Sequence, residues 1–176
     1  MTFEGGESQL ITVPTTPSAP IINAQVTTLG RLLNWARSSS LWYTTTGGGC
    51  CADEVLNTVG CRYDLERFGC LPQVDPRQAD LLIVSGMVSQ KAAPHLRDLY
   101  DQMPSPKYVL AVGTCANCGG PFSPEFSYSV VAGVDKVIPV DVYIAGCPPR
   151  PEAIMHGLIA LQEKISGKHH APFKIE

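Results

Sequence analysis

Apolar positions along the chain fall into short blocks separated by Gly- and Pro-rich turns. Asp80-Leu81-Leu82-Ile83-Val84-Ser85-Gly86, Tyr108-Val109-Leu110-Ala111-Val112-Gly113 and Lys136-Val137-Ile138-Pro139-Val140, the last extended toward Ile144, are near-continuous apolar runs. Strands buried on both faces read this way, so the pattern predicts three parallel strands. Between the first two, Pro94 precedes Leu96, Leu99, Tyr100 and Met103 on one helical face. After the third, Pro151 and Glu152 open a run with Ile154, Leu158, Leu161 and Ile165 at helical spacing, closed by Gly167. Strand, helix, strand, loop, strand, helix predicts an α/β fold with a parallel sheet flanked by helices.

The first part of the chain is less regular. Residues 1–25 hold Gly5-Gly6, Pro14, Pro17 and Pro20 without a sustained period and read as an irregular arm; residues 26–166 read as one domain and 167–176 as a tail. Leu29, Leu32, Leu33 and Ala36 follow the possible cap Thr28 at helical spacing, predicting a short amphipathic helix to about Arg37. With Trp35 and Trp42 nearby it could rest on a membrane surface or a partner, although packing on its own core is the simpler expectation. A glycine turn, Gly47-Gly48-Gly49, leads to a helix from Ala52 to about Val59, and Arg62 to Gln78 reads as a loop with one helical turn.

Composition narrows the class. With 176 residues, 44% hydrophobic, 16% charged and a net charge of -3, the chain is an ordinary globular domain and gives no sign of a nucleic-acid partner. Leu81-Leu82-Ile83-Val84, its longest strongly apolar run, is far short of the roughly 20 residues that span a bilayer, so membrane association is expected to be peripheral. No Lys or Arg precedes Arg31, whereas Glu4 and Glu7 do, which is unlike a secretory or organellar leader and predicts the bacterial cytoplasm, with a processed organellar form as the alternative.

The cysteines carry the candidate chemistry. There are seven, an odd number below disulfide-scaffold density, and in a reducing compartment this points to metal or redox use. Cys50 and Cys51 follow the glycine turn at a helix start, where the dipole favours thiolate. Cys115 and Cys118 follow the second strand and Cys147 the third, and strand ends are where open α/β sheets collect their ligands. Cys50, Cys51, Cys115 and Cys147 meet the need of a [4Fe-4S] cluster for four thiolates on short turns. A zinc knuckle or a dithiol at Cys115 and Cys118 remain alternatives, the first weakened because Cys61 and Cys70 lie nine residues apart and the second because no helix evidently follows. Gly113 to Gly120 lacks the ending of a phosphate loop, no G-x-G-x-x-G fingerprint occurs, and His95, His156, His169 and His170 form no ligand pattern.

Several longer runs carry a resemblance. They are Leu33-Asn34-Trp35-Ala36-Arg37-Ser38-Ser39-Ser40-Leu41-Trp42, Cys50-Cys51-Ala52-Asp53-Glu54, Asp64-Leu65-Glu66-Arg67-Phe68-Gly69, Pro76-Arg77-Gln78-Ala79-Asp80 and Gln102-Met103-Pro104-Ser105-Pro106-Lys107-Tyr108-Val109. With Pro139-Val140-Asp141-Val142-Tyr143-Ile144-Ala145-Gly146-Cys147-Pro148-Pro149-Arg150-Pro151-Glu152-Ala153, the chain over about residues 30–166 resembles the small iron–sulfur (20 kDa) subunit of respiratory complex I, NADH:quinone oxidoreductase.

That resemblance implies a flavodoxin-like fold shared with nickel–iron hydrogenase small subunits. It implies that Cys50, Cys51, Cys115 and Cys147 ligate one terminal [4Fe-4S] cluster that donates electrons to quinone. The implied partners are a large hydrogenase-like (49 kDa type) subunit, a ferredoxin-like iron–sulfur subunit and a membrane subunit at the quinone site, with the chain peripheral on the cytoplasmic face of the bacterial inner membrane. Glu54 matches an acidic family position and becomes the candidate for proton coupling. Cys118, Cys61, Cys70 and Asp53 depart from the usual family pattern. A relay subunit of a membrane-bound nickel–iron hydrogenase and a zinc-stabilised assembly subunit are the competing readings.

Overall fold

The computed structural model describes residues 28–167. The irregular arm at 1–25, His169 and His170 lie outside the described residues, as does the tail beyond Gly167.

Five parallel strands form one sheet: β1 (Leu41–Gly47), β2 (Cys70–Pro72), β3 (Leu81–Ser85), β4 (Tyr108–Val112) and β5 (Val142–Ile144), in the order β2-β1-β3-β4-β5. That order is the flavodoxin-like one, with its switch point between β1 and β3. Side chains alternate across the pleat. Leu81, Ile83, Leu110 and Val112 face a core shared with α2 (Cys50–Val59) and α5 (Pro151–Ser166), where Val55, Ile154, Leu158 and Leu161 are buried. Leu82, Val84, Val109 and Ala111 face the other side, packed with Leu96 and Met103 of α3 (Ala93–Gln102) and its end, and with Val134, Val137 and Ile138. Thus β3 and β4, buried on both faces, match the apolar runs that predict them.

The start of the sheet differs from the sequence reading. β1 is a central strand where only a lead into the glycine turn was expected, and Tyr43 and Thr44 are buried in it. Residues 62–78 contain β2 between two single helical turns, Leu65–Phe68 and Pro76–Gln78. The third strand is displaced: Val137 and Ile138 are buried but irregular, and β5 begins only at Val142. Pro139 offers no N–H to a ladder, and Asp141 takes over at the strand's start. Its Oδ2 accepts from the Val109 N–H at 3.0 Å, while its own N–H donates to the Val109 carbonyl at 2.9 Å.

Helix α1 (Thr28–Ser39) forms as predicted and packs on α5. Packing on the core does not account for all of it, because Leu32, Leu33 and Trp35 remain 58%, 48% and 64% exposed.

Candidate metal centre

The strand register gathers the loops. Gly47, Ser85, Val112 and Ile144 stand side by side across β1, β3, β4 and β5, so the segments that follow all leave from one edge. After β1 the chain must turn at once against β3. Gly47 and Gly86 adopt φ of 109° and 74°, and a Cβ at either would run into the carbonyl of Ser85 or Gly48. Gly48 N–H also donates to Ser85 O at 3.1 Å. This tight crossing sets the entry of α2, whose first two residues are Cys50 and Cys51.

The loops after β4 and β5 are bolted together. Gly113 N–H donates to Ile144 O at 2.9 Å, and Thr114 gives both its N–H (2.8 Å) and its hydroxyl (2.9 Å) to Gly146 O. Asn117 Nδ2 adds a bond to Ile144 O at 3.1 Å. A short helix, α4 (Thr114–Cys118), does follow the second strand, contrary to the sequence reading, and carries both Cys115 and Cys118. The missed positioning residues Gly113, Thr114 and Gly146 lie beside or close to cysteines in the chain, which is the one sequence signal that could have marked them.

Four thiols converge where these loops meet. Cys51 is 1% exposed, and its thiol is pushed up to about 11 by burial first, then by neighbouring Cys50, with Cys115 and Cys147 adding to it. Cys115 is likewise raised, by burial first and then by Cys147, Cys50 and Cys118. Cys50 and Cys147 lie on the exposed side of the group. The helix dipole at Cys51 is therefore outweighed: burial and crowding by other thiols favour the proton over the charge. Several thiolates could coexist here only beside compensating positive charge.

The remaining candidates separate clearly. Cys118 is exposed, near Cys115, and its thiol donates to Thr114 O at 3.4 Å. Cys61 is exposed in the turn after α2. Cys70 begins β2 opposite Leu41, at the amino edge of the sheet, fully buried and with its thiol raised to about 11 by burial. Glu54 sits half-buried on α2, accepts a long bond from Asn57 Nδ2 at 3.5 Å, and its charge helps raise the hydroxyl of Tyr63. Among the described residues, no three His, Cys, Asp or Glu side chains close tightly enough around one point to hold a single metal ion.

Fold and site together define a flavodoxin-like α/β protein that collects cysteine thiols on the loops at the carboxyl edge of its sheet. Residues 49–161 match the family of the NADH ubiquinone oxidoreductase 20 kDa subunit, and the chain belongs to that family. It is 57% identical over 137 residues to a subunit of the NADH-quinone oxidoreductase of Amoebophilus asiaticus, covering 78% of this chain and 85% of that protein. A chain of the membrane-bound sulfane sulfur reductase, an archaeal respiratory membrane complex, superimposes with a TM-score of 0.73 at 46% identity, covering 78% of this chain and 76% of that one. The fold extends to an actinobacterial-type NiFe-hydrogenase from Ralstonia eutropha, with a TM-score of 0.54, 18% identity and coverage of 75% and 55%.

Proposed function

We propose that this protein is the electron-transfer subunit of a membrane-associated NADH:quinone oxidoreductase, in which Cys50, Cys51, Cys115 and Cys147 hold one [4Fe-4S] cluster next to the quinone site. The observation that carries the reading is the delivery of those four cysteines by three loops that leave one edge of the sheet. The donor set fits: four thiols suit an iron–sulfur cluster, and Gly113 gives up its side chain where Cys51 lies. Bound there, the cluster supplies one-electron transfer without bond making.

The protein's own residues fix the site and control its surroundings. Gly47, Gly86 and Gly113 let the loops touch backbone to backbone or backbone to thiol, which keeps the carboxyl edge rigid. Burial of Cys51 and Cys115 limits water at the inner side. Glu54, half-buried on α2 three residues beyond Cys51, is the residue we propose for proton coupling. The exposed Leu32, Leu33 and Trp35 on α1 and Leu56 on α2 suit a chain covered by other subunits, for which we propose a large hydrogenase-like subunit, a ferredoxin-like iron–sulfur subunit and a membrane subunit. No described helix is long and apolar enough to cross a membrane, and we place the chain peripherally, on the cytoplasmic face of the bacterial inner membrane.

Quinone is the proposed acceptor because the relative named for it is more similar in sequence than the archaeal sulfane sulfur reductase chain. The test is iron and sulfide analysis of the purified complex with electron paramagnetic resonance after reduction. A [4Fe-4S] signal that quinone reoxidises is the expected result. Zinc without a cluster signal overturns the reading in favour of an assembly subunit, and a cluster that quinone leaves reduced overturns the choice of acceptor.

A further inference from the structure

A polar contact joins the turn after α2 to the start of α5. The Tyr63 hydroxyl donates to Glu152 Oε1 at 2.9 Å, across 89 residues of sequence. Tyr63 lies in a defined turn at the end of α2: its N–H and that of Asp64 donate to Gly60 O at 3.1 and 2.9 Å, and Asp64 is held at φ 51°. Glu152 is the second residue of α5, five residues after Cys147. Its own backbone N–H and the Tyr63 hydroxyl hold its carboxylate below the usual range, with Arg150 and Arg62 adding to this, so the acceptor is an anion and the bond is charge-assisted.

The bond completes a ring of contacts among the three cysteine-bearing segments. Cys51 packs against Gly113. Thr114, beside Cys115, holds Gly146, beside Cys147. From Cys147 the chain passes through Pro148, Pro149 and Pro151, whose fixed φ angles transmit a position along the chain with little slack. At Glu152 it meets Tyr63, and α2, a rigid helix of ten residues, leads back to Cys50 and Cys51. Helices α2 and α5 already share the apolar core that buries Val55, Ile154 and Leu158, and the solvent-exposed Tyr63 bond adds a polar link between them at the start of α5, the end nearer Cys147.

We propose that Tyr63 is a positioning residue of the thiol site: through Glu152 it clamps the Cys147 segment against α2 and sets the spacing of Cys147 from Cys50 and Cys51. The inference rests on the cluster reading for its consequence, and on the hydrogen bond alone for its geometry.

Two measurements on the intact complex test it. Amide hydrogen exchange over residues 145–152 reports the clamp itself, and the rate at which an iron chelator strips the cluster reports its consequence. Tyr63→Phe and Glu152→Ala are each expected to speed both by about two- to fivefold, the effect of losing one solvent-exposed charged contact. The double variant is expected to be no faster than either single one. Glu152→Gln keeps an acceptor for the hydroxyl and is expected to stay within about twofold of the unmodified complex, a rescue that general loosening would not give. Unchanged exchange in Tyr63→Phe overturns the clamp. Absence of iron and sulfide in the unmodified complex overturns the cluster reading instead, and the exchange measurement still decides the clamp.

Discussion

Gly113 and Cys51 are so close that a β-carbon on the glycine would collide with the cysteine sulfur; the same β-carbon would lie 3.5 Å from Gly146 O. At this point the loops after β1, β4 and β5 all meet, and the backbone there has φ 91°, a conformation that L side chains rarely adopt. Gly113→Ala is therefore expected to displace Cys51, cost about 1–3 kcal/mol of stability, and lower the iron content of the complex. Gly48→Ala serves as the control, since a β-carbon at Gly48 meets nothing within 4 Å. Iron content per complex and thermal unfolding check both, and equal iron in the two variants would refute the collision argument.

The ligand assignment predicts an all-or-none pattern. Cys50→Ala, Cys51→Ala, Cys115→Ala and Cys147→Ala should each abolish the [4Fe-4S] signal in the reduced complex, whereas Cys118→Ala should keep it. Cys118 is exposed and influences Cys115, but it is not among the thiols that influence Cys51. Loss of the signal in Cys118→Ala with survival in Cys115→Ala would exchange their roles.

For Glu54, the argument is electrostatic. Added negative charge at the thiol site makes protonation of a nearby carboxylate easier, so the midpoint potential should fall with rising pH wherever Glu54 exchanges its proton. Glu54→Gln is expected to flatten that dependence while preserving the signal. Redox titrations at several pH values decide it; an unchanged slope leaves Glu54 only a role in the first turns of α2.

How much of this could be read from the sequence depended on whether burial left a periodic trace. β3, β4 and α5 were legible because two-sided burial makes a continuous apolar run and one-sided burial makes a helical stripe. β1 was not, because Thr44-Thr45-Thr46 is polar in composition although β-branched and suited to a strand. That omission propagated to the site. Cys115 and Cys147 could be placed at strand ends, but without β1 the convergence of Cys50 and Cys51 on them had no structural basis and rested on resemblance. The register of β1 on β3, fixed by the backbone crossing at Gly47 and Gly86, is what joins them.

The displaced third strand makes its own prediction. Asp141 stands where a strand residue would pair: one carboxylate oxygen accepts from Val109 N–H and the other from Lys164 Nζ at 2.9 Å, and Lys164 also donates to the Asp141 carbonyl at 3.2 Å. Asp141→Ala leaves a half-buried N–H without its acceptor and the Lys164 ammonium without its carboxylate, and is expected to cost about 1–3 kcal/mol. Lys164→Met removes the partly exposed ion pair and the bond to the Asp141 carbonyl, keeps the Val109 bond, and should cost about 1 kcal/mol or less. Denaturant unfolding of the two variants gives the comparison, and a larger loss for Lys164→Met would mean that the pair, not the Val109 bond, anchors β5.

Cys70 supplies a pH dependence that is separable from the four proposed ligand cysteines, since it lies at the opposite edge of the sheet. Its thiol is fully buried, with Gln162 Nε2 at 4.0 Å as its polar neighbour, and burial raises it from an ordinary 9.0 to about 11. The folded state thus holds this proton more tightly than the unfolded chain does. The associated stability is fully present below about pH 9 and is lost as pH rises through about 11, because the unfolded thiol ionises first. Removing the thiol should remove that part of the decline. Cys70→Ala is expected to cost about 1 kcal/mol at neutral pH through the lost sulfur contact, yet to lose less stability between pH 9 and 11 than the unmodified protein. Tyr43, buried nearby and raised to about 12, continues the decline at higher pH in both proteins. Unfolding free energies across that range read the difference directly, and parallel curves would place the alkaline sensitivity at groups other than Cys70.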